Sequence, residues 1–272
     1  MEHTIVIPFD FSESARHALK NAVDLYDKMR ASIHVVHVAS DKLTEAERKR
    51  IETDLIILQN RNADKCNLVV KLFFGPVGGN ILDYASTLSS PVIFICKSGK
   101  SDDKKNYTGP NAHYIVANAV CPVLFLKTDL DFNKINTILV PLDLNFENKL
   151  KLGYAMFLSR FFGNATIRLL SVVYDADDYG LNKLMIRLNH LNIFFDKMGI
   201  NNVGEIIRCF EEDGEHYSKV AVDYAEKSEA ELILLMTNEE KSKPGDGISL
   251  DSDYMLSHFR NNVLSITPFV KN

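Results

Sequence analysis

The sequence lacks tryptophan, holds only four cysteines among 272 residues, and has no apolar run near the ~20 residues that span a bilayer. Cys66, Cys96, Cys121 and Cys209 show no Cys-x-x-Cys spacing, so we expect reduced thiols rather than a disulfide framework. The first four residues, Met-Glu-His-Thr, lead directly into an expected apolar strand, so we expect no secretory signal. We therefore expect a cytoplasmic protein that makes no membrane contact.

The chain also lacks a net positive charge and recognisable catalytic motifs. The formal net charge is −5, and nucleic-acid binding needs a clustered basic face, so we expect no nucleic-acid partner. His34 and His37 lie three apart on an expected strand and so point to opposite faces, which argues against a shared metal. No H-E-x-x-H or G-x-S-x-G pattern occurs. We expect neither a metal site nor an enzyme.

What the chain does contain is one internal repeat. Residues 5–10 read Ile-Val-Ile-Pro-Phe-Asp, and residues 138–143 read Ile-Leu-Val-Pro-Leu-Asp. The paired segments that follow are strands at 33–38 and 167–173, long helices at 44–62 and 179–197, third strands at 68–74 and 205–210, Asp-Tyr-Ala helices at 83–85 and 223–225, fourth strands at 92–96 and 232–236, and fifth strands at 123–126 and 263–266. Such an ordered series indicates a duplication.

The helix starts carry capping signals. Ser12 is an expected N-cap, and Thr44 with Glu47 forms the pattern of a capping box. In the second copy Asn145 is the expected cap of a helix that carries an apolar stripe. That stripe comprises Leu150, Tyr154, Phe157, Leu158 and Phe161.

The polar stretch at 128–133 marks the expected boundary between domains at 1–128 and 133–272. Strands that alternate with helices favour right-handed βαβ units. The fold class is therefore α/β, with two tandem, doubly wound, parallel five-stranded sheets. Ligands of such sheets bind at the carboxyl ends of the strands, which directs attention to Asp10, Asp143 and the loops after the fourth strands.

These residues resemble the universal stress protein family. The resemblance rests on Ile-Val-Ile-Pro-x-Asp-x-Ser-Glu from residue 5, Gly75-Pro76 before an Ile-Leu-x-Tyr-Ala helix, and Cys-Pro-Val-Leu-Phe-Leu from residue 121. It is weaker in the second half. It implies a fold like that of the adenine nucleotide alpha hydrolases, strand order 3-2-1-4-5, and pairing of two domains through their fifth strands. Family members that bind ATP carry a G-x2-G-x9-G-[ST] loop after the fourth strand and an aspartate after the first.

The first half keeps the spacing of that loop as Cys96-x2-Gly99-x9-Gly109-Pro110. Cysteine replaces the first glycine, and proline replaces the hydroxyl residue and removes an N–H. One interpretation is a nucleotide site for ATP or AMP with Mg²⁺, formed by Asp10, Gly99 and Gly109. The other is a turn followed by a helix that starts at proline. Cys96, at the mouth of this region, is either a redox-sensitive thiol or a small apolar residue that ends a buried strand.

The corresponding loop of the second half has lost its glycines. It begins Met236-Thr237-Asn238-Glu239-Glu240, so two carboxylates would face any phosphate. We expect this degenerate domain not to bind ATP and Asp143 to cap a turn.

We therefore expect a non-enzymatic stress-response or regulatory protein whose two domains form an internal pseudo-dimer. Its protein partners are unknown, and association into a homodimer stays open. The alternative is an adenine-nucleotide-binding module in the first domain with slow ATP hydrolysis. A third class, electron or nucleotidyl transfer on a related fold, requires a flavin or HIGH-type motif that the sequence lacks.

Overall fold

The computed structural model describes residues 3–96, 109–127, 131–132, 134–145, 149–210, 216–237 and 248–267. These residues form two compact units, one within Met1–Asp129 and the other within Leu130–Pro268. Each unit has its own sheet and helices, and the two are described separately.

The first unit alternates strands and helices along the chain. Its elements are β1 (His3–Pro8), α1 (Glu13–Met29), β2 (Ala31–Ala39), α2 (Glu45–Asn62), β3 (Leu68–Phe74), α3 (Val77–Ser86), β4 (Pro91–Cys96), α4 (Pro110–Asn118) and β5 (Val123–Leu126). All of its strand pairs are parallel, in the order β3-β2-β1-β4-β5. In the central register Ile5 lies opposite Ile33 of β2 and Val92 of β4.

The second unit repeats this arrangement. Its elements are β6 (Thr137–Pro141), α5 (Lys149–Phe161), β7 (Thr166–Tyr174), α6 (Asp178–Lys197), β8 (Asn202–Cys209), α7 (Tyr217–Lys227), β9 (Leu232–Met236), α8 (Leu250–His258) and β10 (Asn262–Ile266). The parallel order is β8-β7-β6-β9-β10. Both units thus have the order 3-2-1-4-5, which confirms the fold class expected from the sequence.

The first strand of each repeat lies at the centre of its sheet. Thr4–Ile7 of β1 and Ile138–Pro141 of β6 are buried, because each strand has a partner on both sides and helices cover the sheet. A strand enclosed in this way needs apolar side chains on both faces, which explains the unbroken apolar runs.

Local side-chain contacts start the helices of the first unit as expected. Ser12 Oγ accepts a hydrogen bond from the Ala15 N–H at 3.2 Å and caps α1. At α2, Thr44 Oγ accepts from the Glu47 N–H at 3.3 Å, and Glu47 Oε2 accepts from the Thr44 N–H at 2.8 Å. The predicted capping box is confirmed. Helix α5 begins at Lys149, just after residues that the structure does not describe, so the capping role of Asn145 stays a prediction.

Two details of the second unit differ from the sequence-based expectation. Strand β8 begins at Asn202 instead of 205 and ends before Phe210, because pairing with β7 extends through its polar first residues. The expected apolar stripe of α5 is also wrong at Phe157, which is exposed. The buried residues of α5 include Ala155 and Ser159, whose small side chains allow the helix to pack closely.

The repeated Asp-Tyr-Ala tripeptide has a structural role in both units. In the first unit the hydroxyl of Tyr84 forms a hydrogen bond of 2.8 Å with Nδ1 of His34, on β2. In the second, Nη1 of Arg168, on β7, donates to the hydroxyl of Tyr224 at 3.3 Å. His34 and Arg168 occupy the same position of their strands. The tyrosine therefore joins the third helix to the second strand in each repeat.

We predict that Gly78→Ala and Gly79→Ala on α3 have opposite effects on stability. A β-carbon at Gly78 would overlap the Tyr114 ring on α4, whereas one at Gly79 meets nothing within 4 Å. Gly79→Ala should raise the free energy of unfolding by up to about 1 kcal/mol, because alanine favours the helix. Gly78→Ala should lower it by about 1–3 kcal/mol through overpacking. Urea unfolding of both variants measures the difference.

Tyr114→Ala provides the control for that pair. Combined with Gly78→Ala, it should recover part of the loss, which a double-mutant cycle reports as coupling. Equal unfolding free energies for Gly78→Ala and Gly79→Ala would contradict the packing contact.

The four cysteines are free thiols, and they should differ in reactivity. Cys66, Cys121 and Cys209 are buried, while Cys96 is partly exposed. Burial raises the pKa of the Cys121 thiol to about 12. Because the thiolate is the reactive form, iodoacetamide at pH 8 should label Cys96 at least ~10-fold faster than Cys121 in the folded chain. Mass spectrometry of labelled peptides gives both rates, and equal labelling in guanidinium is the control. Comparable rates in the folded chain would refute this order.

Candidate functional site

The carboxyl ends of the central strands are the first place to examine for a ligand site. In the first unit this region contains Asp10 after β1, Cys96 at the end of β4 and Gly109 before α4. Gly99, the third residue of the expected nucleotide site, lies outside the described residues, as do Glu239 and Glu240 of the second unit.

Asp10 is exposed and holds the turn between β1 and α1. Its Oδ1 accepts a hydrogen bond from the Ser12 N–H at 3.0 Å. Asp143 forms the same contact in the second unit, where Oδ1 accepts from the Asn145 N–H at 2.8 Å. Such side-chain-to-backbone bonds two residues apart stabilise turns. Both aspartates therefore have a structural role that explains their presence without a ligand.

Further side chains support this turn in each unit. Phe11 adopts a left-handed backbone conformation, with φ at 63°, and its ring packs against Phe9 and His37. The His37 Nδ1–H donates to the carbonyl oxygen of Phe9 at 2.6 Å, since a carbonyl can only accept. In the second unit, Arg187 Nη1 donates to the Leu144 carbonyl oxygen at 2.8 Å. Sequence reasoning missed both contacts, because each joins positions distant in the chain.

Cys96 meets a histidine at the end of β4. Its Sγ lies 3.7 Å from Nδ1 of His17, on α1. Cys96 stands where the nucleotide-binding loop pattern has its first glycine. Its side chain is directed to α1.

Gly109 and Pro110 form the start of α4, as the turn interpretation predicts. Gly109 is the N-cap residue and has no side chain to make a capping bond. Pro110 is the first helical residue. Gly109 has a φ of −58°, which any residue adopts, and a β-carbon there would meet nothing within 4 Å. Neither backbone strain nor packing within the described residues requires glycine at this position.

The corresponding region of the second unit is occupied by side chains. The pKa of the Tyr217 hydroxyl is raised above its ordinary value by burial, and then by the nearby charges of Asp251 and Asp143 and by Tyr174. Tyr174 is the last residue of β7, while Asp143, Tyr217 and Asp251 lie after β6, β8 and β9, so all four are at the carboxyl end of the sheet. Only the sheet topology brings them together, so the sequence alone did not reveal the cluster.

Ser249, which stands where the loop pattern has its final glycine, caps α8. Its hydroxyl accepts from the Ser252 N–H at 3.2 Å, and its own N–H donates to the Thr237 carbonyl oxygen at 2.9 Å. The first turn of this helix carries Asp251 and Asp253. Carboxylates at a helix N-terminus satisfy the positive end of the helix dipole, which would otherwise attract a phosphate.

Other kinds of site were also considered. Within the described ranges, no group of three or more histidine, cysteine, aspartate or glutamate side chains could hold a metal. None of the described helices could serve as a membrane span. A cavity of about 360 Å³ in the first unit is lined by Tyr26, Asp27, Arg30, Ala31, Ser32 and Asn67. It opens where β2 begins, at the opposite end of the strands from Asp10.

Comparisons with known proteins agree with this architecture. Residues 1–127 match the model of the universal stress protein family. A universal stress protein from Archaeoglobus fulgidus has a TM-score of 0.74 at 18% identity, with 97% of this chain and 96% of that chain covered. A functionally unknown protein from Pseudomonas aeruginosa has a TM-score of 0.73 at 14% identity, with 98% and 92% covered. Curated protein sequences give no match.

At these identities the two solved structures establish the fold, and the family model establishes the family of the first unit. Both solved structures cover nearly all of the chain, so the second unit shares the fold of the first. The first unit is therefore a domain of the universal stress protein family, and the second unit repeats its fold in tandem.

Proposed function

We propose that this protein is a non-enzymatic regulatory protein of the cytoplasmic stress response, which acts through protein partners. The observation that carries the proposal is the shared use of Asp10 and Asp143. Each carboxylate accepts the N–H of its own turn, at 3.0 Å and 2.8 Å, so both serve the fold. An acid or base for catalysis would need a position set by a substrate instead.

The second unit is proposed not to bind nucleotide. Asp143 and Asp251 both lie near the hydroxyl of Tyr217, so a phosphate beside it would meet carboxylates of the same charge. Two like charges 4 Å apart repel by about 1 kcal/mol in bulk water and about 4 kcal/mol near a protein surface.

The loop chemistry of the first unit also argues against phosphate binding. Phosphate loops rely on glycine backbone that approaches the oxygens closely and on N–H donors at a helix start. Cys96 adds a side chain at the first glycine position, and Pro110 has neither an N–H nor a hydroxyl to donate.

A second candidate function is an adenine-nucleotide module in the first unit, for ATP or AMP with Mg²⁺, with slow hydrolysis. Gly109 favours it, because within the described residues nothing requires glycine there and no atom lies within 4 Å of where a β-carbon would be. The exposed carboxylate of Asp10 could accept hydrogen bonds from a nucleoside.

Calorimetric titration of the nucleotide-stripped chain with ATP and Mg²⁺, and separately with AMP, tests the choice. We expect no saturable heat at millimolar nucleotide, because the loop lacks its donors and the second unit repels phosphate. Thermal unfolding with the same ligands should show no shift in Tm.

Asp10→Ala and Asp143→Ala form a matched pair for this titration, because each removes the same turn contact. Saturable binding near one equivalent that is lost in Asp10→Ala and kept in Asp143→Ala would overturn the proposal. It would establish the nucleotide module instead.

A further inference from the structure

The strongest unexplained surface of the protein is the outward side of α6. Tyr179, Ile186 and Ile193 lie seven residues apart on this helix and are 81%, 58% and 41% exposed. The buried residues Leu184, Leu188 and Phe195 lie on the opposite side and face the sheet. We call Tyr179, Ile186 and Ile193 the outer row. A helix of a monomeric domain normally presents polar residues there.

A line of two lysines and a histidine follows the outer row. Lys183, His190 and Lys197 each lie four positions after an outer-row residue, so they occupy the next row around the helix. The residues three positions after the outer row form the other flank and comprise Asn182, Asn189 and Asp196. All six flanking side chains are exposed. The apolar row is therefore cationic along one side only.

The equivalent helices of the first unit differ in charge and apolar exposure. Helices α5 and α6 together carry six lysine or arginine residues and two carboxylates, a net charge of +4, in a chain of net charge −5. Helices α1 and α2 carry seven of each, for a net charge of zero. Their exposed large apolar residues are limited to Ile56 and Ile57. The outer row is thus a property of one unit and not of the fold.

We propose that the outer row of α6 binds an acidic amphipathic helix of a partner protein. Apolar anchors spaced seven residues apart are what a second helix contacts when it packs lengthwise on the first. Acidic residues along one edge of the partner helix would face the lysines at 183 and 197. This goes beyond the proposed function and holds whether or not the first unit binds nucleotide.

The one-sided charge favours a peptide over an anionic lipid surface. A membrane presents negative charge to both flanks of the outer row and would repel Asp196, whereas a helix can place its acidic residues on the lysine flank alone.

The test uses the full chain and two synthetic 21-residue helical peptides with leucine at the contact positions. One has glutamate and the other has lysine beside the leucines. Fluorescence anisotropy at low salt should show saturable binding of the glutamate peptide, at least ~10-fold tighter than the lysine peptide, and weaker binding in 0.5 M salt. Equal affinities, or no binding of the glutamate peptide, would overturn the proposal.

Two matched variants locate the site. Ile186→Glu should reduce the affinity at least ~10-fold, while Ile56→Glu on α2, where the side chain is 53% exposed, should leave it unchanged. Lys183→Glu combined with Lys197→Glu should reverse the preference to the lysine peptide. Circular dichroism verifies that each variant is folded.

Two other outcomes would assign the outer row to a different occupant and reject the proposal. One is co-sedimentation with phosphatidylserine vesicles that Ile186→Glu abolishes, without binding of the glutamate peptide. The other is a self-associated chain in analytical ultracentrifugation that Ile186→Glu converts to a smaller species.

Discussion

Backbone pairing of the central strand is the constraint on which each unit depends. β1 is hydrogen-bonded to β2 and β4, and β6 is hydrogen-bonded to β7 and β9. A strand that is paired on both sides and covered on both faces is apolar along its length, so the polar residues of the chain follow only after the strand ends. Asp10 and Asp143 stand at those ends. The pairing thereby determines where the chain turns and which loops lie at the ligand edge.

The two units form equivalent contacts at the same positions of the fold, in part with different side chains. Oδ1 of the aspartate accepts the turn N–H in both, and a tyrosine of the third helix contacts the second strand in both. The tyrosine partner is His34 in one unit and Arg168 in the other, and the turn is supported by His37 in one and Arg187 in the other. Backbone geometry is conserved between the repeats, because the sheet enforces it, while side chains that only fill or support it have diverged.

That divergence extends to the surfaces. At the carboxyl edge of the second unit the hydroxyl of Tyr217 lies near the carboxylates of Asp251 and Asp143, which together raise its pKa with burial as the main cause. On α6 the exposed side carries an apolar row with a flank of lysines, while the exposed large apolar residues of α2 are limited to Ile56 and Ile57. A duplicated domain can change its surface without loss of the fold, since stability comes from the core.

The sequence by itself determined the fold class, the repeat and most element positions, because burial imposes a readable period on apolar residues. Strands at 68–74, 123–126 and 232–236 have the expected bounds, and Ser12 and Thr44 cap their helices through contacts only three residues away. It also identified Asp10 and Gly109 as the residues to examine. The cluster of Tyr217 with Asp143 and Asp251, the His17 contact of Cys96, and the outward position of Phe157 and Ile186 were decided by the tertiary structure alone. Each depends on which helix face or strand end packs against another element. Local residue patterns do not specify that tertiary packing.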